Sequence, residues 1–105
     1  MIIRKITLAI IFSIISISAF SANETGFDEI CNIYTEAKNS SLSKSQLSDY
    51  IFENIKNRIT SKDALEAHEA VFNLSVDKRF SVFKQSAEYS LKQKWECTAV
   101  EELMR

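Results

Sequence analysis

The chain of 105 residues contains no proline and a single glycine, Gly26. Tight β-hairpin turns draw on glycine to reach positive φ, and phosphate-cradling loops need several glycines in close succession. Hairpin-rich folds, Walker and Rossmann loops and G-x-S-x-G nucleophile turns are therefore excluded. Histidine is as scarce, with His68 alone, and cysteine occurs twice, at Cys31 and Cys97. A structural zinc site takes about four such ligands at short spacings, and a thioredoxin-like dithiol takes two cysteines separated by two residues. Neither pattern occurs, so no metal and no cofactor is expected. Surplus positive charge is also missing: 13 basic residues face 14 acidic ones, a net charge of −1. That balance argues against nucleic-acid binding and against a cationic membrane-lytic peptide.

What is present begins with "MIIRKITLAIIFSIISISAFSANET". A short basic start, an apolar run from Ile6 to Phe20 and small residues around Ser21 and Ala22 form the layout of a secretory signal peptide. The expectation is a leader over residues 1–22, cut after Ser21 or Ala22, followed by one domain over residues 23–105. The apolar run falls short of the roughly 20 residues that a membrane span needs. No stable membrane insertion is expected after leader removal, and the protein is expected to be exported, either periplasmic or secreted. Arg4 and Lys5 leave with the leader, so 11 basic and 14 acidic residues remain, a net charge of about −3 on about 83 residues.

Without turn formers, and with apolar residues spaced at a helical period, the mature chain reads as all-α, a small four-helix domain closed by one disulfide. The first helix is expected over Phe27–Lys38, with Phe27, Ile30, Cys31, Tyr34 and Ala37 inward and Thr25 with Asp28 as a capping box. After the polar connection "NSSLSKS", a second helix over Lys44–Arg58 opens with Ser43 and Gln46 at capping-box spacing. It presents Leu47, Tyr50, Ile51 and Ile55, with Ile59 just beyond. Phe52 widens its apolar arc past half the circumference, which suggests a helix buried between neighbours or shared with a partner. A third helix, capped by Thr60 and Asp63 and reaching about Asn73, turns Ala64, Leu65, His68, Val71 and Phe72 inward. A fourth, about Val76 to Lys94 with Ser75 before it, buries Val76, Phe80, Phe83, Ala87 and Leu91. Lys92 and Lys94 then fall in its last turn, where positive charge favours the helix.

Cys31 on the first helix and Cys97 beyond the last are the default pair for one structural disulfide in an exported chain with an even cysteine count. Free, exchanging or intermolecular thiols are the alternative. Trp95 is placed to pack beside the bridge and hold "WECTAV" against the first helix.

His68 invites a catalytic reading, with Glu36 or Asp63 as its acidic partner. Its neighbours one helical turn away are Ala64, Leu65, Val71 and Phe72, so a core histidine is the simpler expectation. No catalytic residue is assigned and no enzymatic activity is expected. Val82 and Tyr89, seven residues apart on the fourth helix and facing away from Phe80 and Phe83, are the candidate partner surface together with Phe52. In a monomer they are merely exposed apolar residues of an ordinary kind; in a homodimer or a complex they are contacts.

The segments "ICNIYTEAK", "YIFENIKNRI" and "RFSVFKQSAEYSLKQKWECTA" carry Cys31 in the first helix, Arg79 with Phe80 at the start of the last, and a closing W-x-C-x-A at Trp95, Cys97 and Ala99. In these features the chain resembles a loose group of small exported bacterial helical proteins without assigned function. The resemblance implies a helical, disulfide-linked periplasmic or secreted protein and no activity to transfer. The expected role is non-enzymatic binding of a protein partner. The alternatives are a small apolar ligand held between helices and, further off, an enzyme centred on His68.

Overall fold

The computed structural model describes residues 25–105, so the expected leader over residues 1–22 lies outside the described residues. Helices α1 (Phe27–Lys38) and α2 (Lys44–Arg58) have the bounds expected from the pattern. At the start of α2 the capping box forms. The Ser43 hydroxyl accepts from the Gln46 N–H at 3.4 Å, and the Gln46 side-chain oxygen accepts from the Ser43 N–H at 3.0 Å.

At the start of α1 the expected Thr25–Asp28 box does not form. Gly26 occupies the cap position without a side-chain cap, because Thr25 is drawn across to the chain leaving α2. Its hydroxyl donates to the Arg58 carbonyl at 2.6 Å and accepts from the Thr60 N–H at 2.9 Å, while its carbonyl accepts from the Ser61 N–H at 2.8 Å. A Cβ on Gly26 would stand 3.2 Å from the Ser61 Cβ, a tight approach that a larger residue could meet only if Ser61 gave way by a few tenths of an ångström. With Thr60 engaged there, Ser61 rather than Thr60 caps α3 (Lys62–Val71), accepting from the Ala64 N–H at 3.2 Å.

The fourth helix, α4 (Val76–Leu91), ends earlier than Lys94. Lys92 adopts a left-handed conformation with φ of 59°, so Lys92 and Lys94 lie past the helix. Ser75 holds the cap position of α4 but its side chain makes no capping hydrogen bond. The chain then runs on to Cys97 and forms α5 (Thr98–Leu103), a short helix where a plain tail was expected. The described residues are thus all-α, with four long helices and a fifth short one, and the Cys31–Cys97 disulfide closes them.

The central element is α1, packed on both α2 and α5, while α3 packs on α4. Cover on two sides explains why Ile33, outside the expected inward face, is as fully buried as Phe27, Ile30, Tyr34 and Ala37. It also corrects one of the two readings of the wide apolar arc on α2, burial between neighbouring helices. Helix α2 buries Ile51 and Ile55, with Ile59 just beyond, and leaves Phe52 44% exposed. From α4, Phe83 and Ala87 are buried and Phe80 and Leu91 are half-buried. Val76, expected inside, is 48% exposed, since as the first residue of α4 it sits at the rim of the bundle.

Candidate functional site

The end of the bundle where α1 begins is fastened several times over. Cys31 and Cys97 are bonded with Cα atoms 5.8 Å apart, and no cysteine among the described residues is free. Trp95 is buried beside the bridge with its ring edge-on to Phe27 and Phe83, centroids 6.4 and 5.6 Å away. Its indole N–H donates to the Asp28 carboxylate at 3.1 Å, which is where Asp28 is used instead of in a cap. The Trp95 backbone is held as well: its N–H donates to Glu88 at 3.0 Å, and its carbonyl accepts from the Lys84 ammonium at 2.6 Å. Lys84 and Glu88 pair at 2.8 Å, each hydrogen-bonding the other's charged form, so the Lys84 pKa is raised and the Glu88 pKa lowered.

His68 is buried at 2% exposure among rings. Phe72, Phe52 and Phe83 have their centroids 5.0, 5.4 and 6.0 Å from its own. The Tyr34 hydroxyl lies 2.6 Å from His68 Nε2. Burial removes water from both groups and penalises charge on either, which raises the Tyr34 pKa and pushes that of His68 down to about 4. The pair is therefore a neutral hydrogen bond inside an aromatic cluster. The hydrogen-bond partner of His68 is a phenol and not a carboxylate.

Glu36, the carboxylate considered for that role, is engaged elsewhere. Arg58 reaches from the end of α2 to α1 and donates to Glu36 at 2.8 and 3.1 Å and to Glu29 at 2.6 and 2.9 Å. Tyr50 adds a hydrogen bond to Glu36 at 2.8 Å. These donors hold the Glu36 carboxyl well down, at about 2, and lower that of Glu29, where Asn32 contributes most. Such interhelical pairs join residues far apart in sequence, and periodicity alone carries no sign of them. Asp63, the other carboxylate considered, lines a surface groove. Among the described residues no group of histidine, cysteine or carboxylate side chains is placed to hold a metal ion.

Two depressions divide the expected partner residues. Val82 and Tyr89 share a shallow groove between α3 and α4, with Asp63, Glu66 and Ala67 on one wall and Gln85, Ser86 and Ser90 on the other. Tyr89 is 78% exposed, with the Lys92 ammonium 4.6 Å over its ring, while Val82 is half-buried against the core. Phe52 does not belong to that groove. It lines a separate cleft near the end where α1 finishes. The chain matches no family model, no curated protein and no solved structure. Lys44, Glu102 and Arg105 line the cleft with Phe52, a grouping that the sequence pattern does not signal. Lys44 opens α2, whereas Glu102 and Arg105 belong to the C-terminal segment of α5 and just past it, and they share the cleft because α5 docks on α1.

Proposed function

We propose that this chain is an exported helical domain that works by binding another protein, with the α3–α4 groove as its contact surface. The observation that carries the reading is Tyr89, a large aromatic ring left 78% exposed on a helix whose other aromatic residues are half or fully buried. Tyrosine is among the residue types enriched at the energetic centres of protein interfaces. Asp63 and Glu66 on the groove wall favour a partner segment that carries positive charge next to an apolar side chain.

Export is supported by the Cys31–Cys97 bridge, since disulfides persist in oxidising compartments. No helix among the described residues is long and apolar enough to cross a membrane. Membership in the small exported bacterial group that the chain resembles belongs to the same proposal. Intact mass from the native host, with and without reduction, tests the export part. A leaderless chain lighter by two hydrogens until reduced supports it, and a full-length chain with two free thiols removes it.

The binding part is tested by placing a photo-reactive residue at Ser86 and illuminating cells of the native host. One discrete adduct, lost on Tyr89→Glu with unchanged helicity, is expected. Absence of an adduct, or an adduct indifferent to Tyr89→Glu, would overturn the assignment of this groove.

A further inference from the structure

The cleft holding Phe52 is unlike the α3–α4 groove. It is more enclosed, about 410 Å³ in volume, and within the size range of small-ligand sites. Buried Tyr34 and Ile51 form its floor, and Leu47, Phe52, Phe72 and Leu103 its apolar walls. The charges at its mouth are unequal. Glu102 is drawn to Lys38 at 2.9 Å, and Arg105 pairs along its own helix end with Glu101 at 2.5 Å. Lys44 has no carboxylate partner among the described residues, so one uncompensated positive charge stands over an apolar interior.

We infer that this cleft binds a free single-chain anionic amphiphile, its hydrocarbon against Phe52, Phe72 and Leu47 and its acidic head at Lys44. The apolar walls match a hydrocarbon tail and the unpaired ammonium matches an anion. The small volume fits one chain of moderate length and excludes a helix or a folded partner. This inference is independent of the protein-binding groove, which lies between other helices.

The molecule carries its own reporters. His68 is the only histidine, and it packs against Phe52 and Phe72, two walls of the cleft. Trp95, the only tryptophan, is at the bridged end. Titrating the oxidised protein with sodium decanoate below its micelle-forming concentration is expected to give one saturable site with a dissociation constant on the order of 100 µM. The His68 imidazole NMR signals should move in step with binding, and Trp95 fluorescence should not. Decyltrimethylammonium, with the same chain and opposite charge, should bind at least about tenfold more weakly, and Lys44→Glu should weaken decanoate by about tenfold. Lys44 is exposed and opens α2, where a carboxylate suits the helix, so this variant keeps its fold; Lys44→Gln is a milder second variant with a smaller loss. The inference is overturned by no saturable binding, by equal affinity for the cationic amphiphile, or by indifference to both Lys44 variants. It is also overturned if the protein associates with phosphatidylglycerol vesicles while ignoring monomeric decanoate, which would assign the surface to a membrane.

Discussion

The two ends of this bundle are built by different means. Where α1 begins, a disulfide, a buried indole, the Lys84–Glu88 clasp on the Trp95 backbone and the Thr25 crossover each fasten Thr25 or the Trp95–Cys97 segment to the core. Where α1 finishes, rings pack around His68, Glu36 is held by Arg58 and Tyr50 and Lys38 pairs with Glu102, all without a covalent link, and apolar surface stays open at Phe52 and Val76. A domain of this size has little core to spare. Concentrating cross-links at one end lets the other leave an apolar cleft uncovered without losing the fold.

Removing the bridge attacks that division most strongly. Replacing both Cys31 and Cys97 with alanine releases a 66-residue separation in the unfolded chain and should lower stability by about 4 kcal/mol on the loop-entropy model. Urea denaturation of the oxidised and doubly substituted proteins checks this. Acid strikes the other end. The folded His68 value of about 4 lies below the ordinary 6.5, so the unfolded chain takes up a proton first. Stability should be full above about pH 6.5 and fall by about 3 kcal/mol as the pH drops to about 4. Glu29, Glu36 and Glu88, with lowered values, lose their contributions as the pH falls through the ordinary carboxylate value of 4.5 toward their lower folded ones. The window between pH 6.5 and 4.5 therefore belongs to His68, and the double variant Tyr34→Phe/His68→Leu should flatten it in denaturation curves taken across pH.

Smaller effects sharpen the contrast. Arg58→Met removes a partly exposed network joining α1 to α2 and should cost about 1 kcal/mol by chemical denaturation, less in high salt. Tyr89→Glu touches no buried contact and should change stability by no more than about 0.5 kcal/mol, so that any loss of adduct formation reports binding alone.

Legibility in the sequence followed the same divide between local and distant interactions. The bounds of α1 and α2 were readable because apolar spacing and the Ser43–Gln46 box act within a few residues. The cysteine pairing was readable because only two cysteines exist. The end of α4 was not, since Lys92 turns left-handed without a glycine to mark the place. Helix α5 was hidden too: six residues make too short a periodic signal, and the segment is placed by the bridge and the Lys84–Trp95 bond. Thr25 and Asp28 looked like a cap but serve partners 35 and 67 positions away. The division of Phe52 from Val82 and Tyr89 depended on the order of helices around α1, which periodicity leaves open.

Native-state hydrogen exchange of the oxidised protein tests the contrast between the two ends most directly. Amides around Ile30–Tyr34 and Val100 should exchange only through global unfolding, while those of the first turn of α2 and of residues 72–78 should open locally at lower free energy. After reduction, the segment from Trp95 to Leu103 should lose protection first. Equal protection at both ends, or a cleft end that outlasts the bridged end, would contradict a domain fastened at one end to leave the other open.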